Sequence, residues 1–371
     1  QSYPLQFTEK SGINDIYGGN IGKATLKGEI MKKITILGLH NSMATTIFGP
    51  MDILNQAGRL WNGLNKTEHT PFFDVTIASP DGGPIRSVNR IEIQPHCSIR
   101  DVDHSDLIII ASATYIDKIL EHHPELPDWL RHHYNKGAHV ASICTGVFLL
   151  AETGLLDGKS ATLHWGFTEQ FKDRYPNVAL QHDRMFIDHG RLYCSAGVSA
   201  GMDLSLYLVE KFCGRQVARE SAKTMVLAMD RRLQTPYSCF LGAGNHSDSL
   251  IAKAQDWLEE NATQTVNYDG MARTFGISRR SLERRFKQAT GMTPLSYIQQ
   301  LRVEKAKRML EDSARTFNEI TYAVGYEDIS FFRKVFVRLT GLRPKEYQQK
   351  FSGFANKAAI LKPKEKIRGY R

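Results

Sequence analysis

Five cysteines stand among 371 residues, and no two of them form a CxxC pair. Cys97, Cys144, Cys194, Cys213 and Cys239 offer no zinc-ligand set and no even-numbered disulfide framework. An odd count in a chain of this size points to reduced thiols and a cytoplasmic protein. Long apolar runs are missing too, which argues against a membrane-spanning helix and a membrane partner. Residues 1–30 are polar and contain glycine, without the apolar core of a signal peptide. They read as an N-terminal extension, after which Met31 leads directly into an apolar run. Acidic residues are scarce only at one end. From Asn245 to Arg371 the chain has 24 Lys and Arg against 14 Asp and Glu, and before that 24 against 25. The whole net charge of +9 therefore sits in the last third, as expected if that region alone meets phosphate.

What that basic third contains is a repeat. From Gly276 it reads GISRRSLERRFKQATGMTPLSYI, and from Gly325 it reads GYEDISFFRKVFVRLTGLRPKEYQ. Leu282, Phe286, Thr290, Gly291, Pro294 and Tyr297 recur fifty residues later as Phe332, Phe336, Thr340, Gly341, Pro344 and Tyr347. Two copies are too few for a solenoid, so the repeat marks a duplicated supersecondary unit. Each copy has an apolar helix, a Gly-containing turn and a second helix rich in Arg and Lys. That is the layout of a helix-turn-helix whose second helix enters a DNA major groove.

In the first copy, Met271–Phe275 is the expected support helix, Gly276–Ile277 the turn and Ser278 the cap of a recognition helix. Leu282 and Phe286 face the core. Arg280, Glu283 and Arg284 lie opposite, where Arg can read guanine and Glu can accept from cytosine. Arg279, Arg285 and Lys287 complete five basic residues within nine positions, with Arg285 and Lys287 placed for phosphate. In the second copy Ile320–Val324 supports, Gly325–Glu327 turns and Asp328 caps. Ser330, Arg333 and Lys334 point outward, and Ile329 is placed to touch a thymine methyl. Leu295–Asp312, free of Gly and Pro, reads as a connecting helix of about 27 Å. Such a spacer suits successive major grooves about 34 Å apart.

The first two-thirds read as an α/β domain. Lys33–Gly38, Phe73–Ser79, Leu107–Ala111 and His139–Ile143 are short apolar runs rich in Ile and Val, separated by helix-length segments. The alternation predicts a doubly wound, mostly parallel sheet covered on both faces. Later strands are expected at Phe186–Asp188 and Leu192–Ser195. Helices are expected at Phe48–Leu60, Trp129–Tyr134, Ala200–Phe212 and Gln216–Met229. The domains are expected at 31–232 and 249–351, with a Gly-, Ser- and Pro-rich linker at 233–248 and a basic tail at 352–371.

Cys144 follows a strand and precedes an apolar helix in VASICTGVFLLAETGLLDG. This is the pattern of an elbow that presents a side chain above a sheet. A helix N-terminus there would lower the thiol pKa. A buried small hydrophobe is the alternative, and spacing alone favours it. The pairs His122-His123 and His132-His133 hold adjacent helix positions that do not face one another, and read as surface residues. Trp61 and Trp165 read as core, though aromatic walls also suit quaternary ammonium ligands.

VASICTGVFLLAETGLLDGKSATLHW resembles the elbow region of the DJ-1/PfpI superfamily, related to class I glutamine amidotransferases. AGVSAGMDLSLYLVEKFCG resembles the segment that closes such domains when they are fused to an AraC-type regulator, and the two C-terminal copies resemble the AraC/XylS DNA-binding domain. The order is similar to that of GlxA-like transcription regulators, from Met31 to Phe351. The resemblance implies a sequence-specific regulator with an α/β sensor domain. The implied partners are double-stranded DNA, an unidentified small-molecule effector, a second copy of the chain and RNA polymerase. It implies no cofactor and no metal. Enzymes of the superfamily pair the elbow cysteine with an acid near the end of the first strand. Here the matching position is Thr46, and Thr145 stands where protease-like members have histidine. Asp52 lies on the helix and does not match. Thr46, Cys144, Thr145 and His164 are therefore expected to line a ligand pocket rather than a catalytic centre. The rival readings are a cysteine-dependent hydrolase or hydratase, kept open by Cys144 and His164, and a non-specific nucleic-acid binder.

Overall fold

Seven strands build the sheet of the first two-thirds, and the alternation of apolar runs explains its parallel core. The structure is a computed structural model describing residues 31–240, 242, 246–312 and 315–353. The N-terminal extension, most of the basic tail and part of the linker lie outside these residues. The chain divides into two units between Gln234 and Thr235, two residues later than the composition shift suggests. The Gln234 amide donates to Leu163 O at 2.8 Å and is buried in the first unit.

In that unit the strands are β1 (Lys32–Leu37), β2 (Phe73–Ser79), β3 (Ile85–Arg86), β4 (Glu92–Ile93), β5 (Cys97–Ser98), β6 (Leu107–Ile110), β7 (His139–Ile143), β8 (Ser160–Ala161), β9 (Ala179–Leu180), β10 (Phe186–Asp188) and β11 (Leu192–Ser195). The main sheet has the order β10-β11-β7-β6-β1-β2-β5, and only the β10–β11 pair is antiparallel. β3–β4 and β8–β9 form separate two-stranded pairs. Alternation places Leu107 and Ile109 in one core, and Ile108 and Ile110 in the other. Both faces are covered, which is why these strands read as continuous apolar runs.

The helices are α1 (Thr45–Gln56), α2 (Leu60–Leu64), α3 (Ile116–His122), α4 (Leu126–Asn135), α5 (Gly146–Glu152), α6 (Thr168–Arg174), α7 (Ala200–Cys213) and α8 (Arg215–Thr224). α1, α7 and α8 cover one face, and α3 to α6 the other. The helix expected at 48–60 is broken in two. Gly58 takes φ +74°, and a Cβ there would meet Thr70 O at 2.0 Å, so the chain turns where periodicity predicts continuation. The helix expected to reach Met229 ends at Thr224, and Val226 then adopts φ +54°.

The second unit is helical: α9 (Ser249–Glu260), α10 (Tyr268–Thr274), α11 (Arg279–Thr290), α12 (Pro294–Asp312), α13 (Phe317–Ala323), α14 (Ile329–Thr340) and α15 (Pro344–Phe351). It has two cores. Leu282 and Phe286 centre the first, and Phe332 and Phe336 the second, with α12 contributing to both. Among the described residues no helix is long and apolar enough to cross a membrane.

Candidate nucleic-acid interface and cysteine elbow

All six recurring residue pairs serve the scaffold. Thr290 and Thr340 donate to the carbonyls of Phe286 and Phe336 at 2.7 and 2.8 Å. Gly291 and Gly341 then close α11 and α14 in the left-handed region, both at φ +73°. Tyr297 and Tyr347 pack edge-on against Phe286 and Phe336 at 5.4 and 5.6 Å. Their hydroxyls donate to Glu259 at 2.9 Å and to Glu311 at 2.6 Å. Glu259 stands one residue before the end of α9 and Glu311 one before the end of α12, so the duplication begins one helix earlier than the sequence match. Burial and the Glu311 carboxylate push the Tyr347 phenol well up.

The caps lie where the sequence places them. Ser278 accepts from the Ser281 N–H at 3.2 Å, and Asp328 from the Phe331 N–H at 2.9 Å. Several positions that differ between copies face solvent. Arg280, Arg284 and Lys287 are exposed on α11, and none of them forms an ion pair among the described residues. Arg279 and Glu283 are exposed but joined, Nε to carboxylate at 2.9 Å, with Asp269 3.4 Å from Arg279. Glu283 can meet a base only by giving up Arg279. On α14, Ser330, Arg333 and Lys334 are exposed, Ile329 is half-buried, and the Arg333 guanidinium lies 5.6 Å from the Phe317 ring. Arg333, Arg343 and Lys345 line one cleft beside this helix.

Arg285 does not stand where a phosphate ligand would. It is half-buried and grips the α9 cap, Asp248, through bonds of 3.0 and 2.7 Å. Arg285 in turn holds the Asp248 carboxyl below its usual range. The fifty-residue offset explains this, because Arg285 corresponds to Val335, which is buried in the second core. Arg285→Ala should therefore weaken DNA binding only through helix packing, whereas Lys287→Ala should flatten the dependence of affinity on salt by about one charge. A salt titration of both variants on one duplex checks this. Equal slopes for the two would contradict the assignment.

A buried side chain joins the two copies. Arg302 of α12 donates to Ala262 O at 2.7 Å and Gln264 O at 2.6 Å, and its guanidinium lies 4.8 Å from the Tyr326 ring. Gly325, beside Tyr326, takes φ +87°, and a Cβ added there would lie 2.4 Å from Thr263 O. Arg338 of α14 donates to Gln299 of α12 at 2.6 Å. The spacing of the recognition helices thus depends on these contacts as well as on α12.

In the first unit Cys144 directly follows β7 at φ +55°, a left-handed conformation rare for a residue with a Cβ. Gly146 lets α5 start against β6, since a Cβ there would lie 2.5 Å from Ala111 O. Hydrogen bonding from Thr145 and from the His164 main chain acts to lower the Cys144 thiol pKa. Burial outweighs these donors and raises the thiol pKa, contrary to the depressed value expected at a helix start. Thr46 is fully buried. It donates to Met43 O at 2.7 Å and accepts from the Ser112 N–H at 3.1 Å. Its only proton is thereby used, so the Ser112 hydroxyl, 3.1 Å away, donates to it. Thr145 accepts from the Ala113 N–H at 3.0 Å. His164 Nδ1 accepts from the Gly166 N–H at 3.1 Å, so the ring caps its own turn, while its main chain meets Cys144. Burial lowers the pKa of this imidazole.

These four residues do not line the large cleft of the unit. That cleft, about 650 Å³, is bounded by His40, Asp81, Tyr115, Lys118, His122 and His123 among others. The paired histidines are thus not plain surface. His122 and His123 border the cleft, while His133 is buried against Trp129, ring centres 4.8 Å apart. Trp165 stands 5.1 Å from His164, and Trp61 lies 5.8 Å from the Lys223 ammonium. Among the described residues no group of three His, Cys, Asp or Glu is placed to hold a metal.

An α/β unit with a cysteine elbow, followed by two capped helix-turn-helices, defines a DNA-binding transcription regulator. Residues 32–211 match the DJ-1/PfpI family, and residues 271–350 match the helix-turn-helix domain family. The chain combines a DJ-1/PfpI domain with an AraC-type helix-turn-helix domain and is similar to HTH-type transcriptional regulators. It is 28% identical over 267 residues to the HTH-type transcriptional regulator CdhR of Pseudomonas aeruginosa, covering 72% of this chain and 79% of CdhR. Over 285 residues it is 28% identical to the HTH-type transcriptional regulator GlxA of Rhizobium meliloti, covering 74% and 84%. The regulator GbdR of Pseudomonas aeruginosa is 25% identical over 295 residues, 78% of either chain.

Proposed function

We propose that the protein is a cytoplasmic, sequence-specific regulator that reads DNA with α11 and α14, and that its first unit senses a small metabolite and pairs two copies without catalysing a reaction. The observation that carries DNA reading is the row of exposed, unpaired Arg280, Arg284 and Lys287 on a capped helix whose opposite face is core. RNA polymerase is the further partner expected of a regulator. A paired regulator gains effective concentration on repeated half-sites. Sedimentation of the full chain should show a dimer. The variant for comparison is the fragment 31–234, which keeps Gln234. A monomeric fragment beside a dimeric full chain would move the interface to the second unit.

Binding without turnover is supported by the hydroxyls around the elbow. Thr46 has its hydrogen-bonding capacity engaged by Met43 and Ser112, Thr145 accepts from Ala113, and neither can hold a proton as a carboxylate does. The strained backbone of Cys144 favours the rival reading of a cysteine enzyme. Cys144→Ser is expected to leave folding and DNA affinity within about twofold of wild type, as for a small isosteric change. Amidase, hydratase and glyoxalase-type turnover should be absent from both proteins. Turnover by wild type that vanishes with Cys144→Ser would restore the enzyme.

A further inference from the structure

The cleft of about 650 Å³ occupies a position that open α/β sheets reserve for ligands. It is bounded by the loop after β1, the loop after β2 and the segment Thr114–His123 beyond β6. β1 lies between β2 and β6 in the sheet, so the strand order reverses beside it. The crevice outside the carboxyl ends of strands at such a reversal is the usual binding site. Leu39, Ile85 and Ile119 give it an apolar, buried floor.

The polar groups on its walls are mostly donors. Lys118 forms no ion pair among the described residues, and its ammonium lies 5.5 Å from the Tyr115 ring. The Arg86 N–H donates to His40 Nδ1 at 3.1 Å, so the neutral ring carries its proton on Nε2 and can donate. His122 Nδ1 lies 2.7 Å from Lys118 O, an acceptor, so that nitrogen is the protonated one. His123 Nδ1 lies 3.5 Å from Glu125. The one carboxylate on the wall, Asp81, accepts the Gly83 N–H at 2.9 Å. That bond chiefly holds its pKa below the usual range, and His123 and His40 add to the effect. The cleft therefore has an ammonium that forms no ion pair among the described residues and a free donor, while its one acid gives an oxygen to the Gly83 N–H. Tyr115 stands at the lip at φ +58°, and strain of this kind gathers at ligand clamps.

We infer that this cleft is the effector site and that it takes a small carboxylate-bearing metabolite, whose carboxylate pairs with Lys118 and accepts from His40. This rests on the sensor reading given above. Carboxylate fits better than phosphate. Phosphate sites draw on free main-chain N–H groups or a helix start. Here the Gly83 and Arg86 N–H groups are taken, and Asp117 stands in the first turn of α3.

The test uses the full chain, titrated calorimetrically with acetate, lactate, malonate, succinate, malate and glutarate, with inorganic phosphate and ethanolamine as separate arms. At least one carboxylate should bind saturably. Lys118→Glu and His40→Ala should each weaken it roughly tenfold or more, and Cys144→Ser should not. Lys118 and His40 are exposed, so neither change threatens folding. Saturable binding of phosphate or ethanolamine but of no carboxylate would overturn the ligand class, and no saturable binding at all would overturn the site. Carboxylate binding that survives Lys118→Glu but is lost in Cys144→Trp would move the effector to the elbow and leave the sensor reading standing. Carboxylate binding lost in Lys118→Glu, with no change in DNA affinity on saturation, would keep the ligand site and remove the sensor reading.

Discussion

Alanine at Gly325 is expected to destabilise the DNA-binding unit by about 3 kcal/mol, the combined cost of overpacking and of a Cβ in the left-handed region. The added carbon would lie 2.4 Å from Thr263 O and 2.7 Å from the Thr263 carbonyl carbon. Both are main-chain atoms, and the carbonyls of Ala262 and Gln264 on either side are held by Arg302. The loop therefore cannot retreat without breaking two charge-assisted bonds. Hydrogen exchange should show protection falling roughly a hundredfold across residues 268–351 while the sheet of the first unit keeps its own. Gly291→Ala is the informative control. It shares the positive φ, but an added Cβ there meets nothing within 4 Å. Similar losses for the two variants would mean that the Thr263 contact carries no weight.

Arg280→Ala and Arg284→Ala are each expected to weaken binding to a duplex selected from random sequence by about 1–3 kcal/mol, or roughly tenfold to a hundredfold. Binding to a scrambled duplex should fall far less. Both side chains are exposed and unpaired on the face opposite Leu282 and Phe286, so truncation leaves no buried partner behind. Loss of selectivity confined to one or two base positions would identify the bases read. Equal losses on the selected and scrambled duplexes would reduce both arginines to phosphate contacts. Glu283→Ala separates the alternatives for its neighbour, since it frees Arg279 from its 2.9 Å ion pair. That pair is solvent-exposed and adds little stability by itself.

The repeat made the second unit legible from one sequence. A residue that must cap, turn or fill a core at one place in a copy must do so at the same place in the other. Leu282 and Phe332, Thr290 and Thr340, and Tyr297 and Tyr347 recur for that reason. The strands His139–Ile143 and Leu192–Ser195 were legible because a sheet covered on both faces needs unbroken apolar runs. Two-residue strands such as Ile85–Arg86 have no period to detect, and they appear only through their neighbours. Gly58 could not be distinguished from a tolerated helical glycine until Thr70 was placed beside it.

The sequence by itself determined the class of fold, the caps, the core faces and the basic row of α11, because each depends on neighbours within about one helical turn. Tertiary structure alone decided which charges are free. Arg285 looks like Arg284 in the sequence, and only Asp248, thirty-seven residues away, turns it inward. It likewise decided the state of Cys144, where burial overrides the helix start. The cleft belongs to the same category. His40, Asp81, Lys118 and His123 come from two loops and the helical segment beyond β6 with no common spacing, and they meet only because β1, β2 and β6 lie side by side. Desolvation and charge pairing depend on distance in space, which a local pattern does not carry.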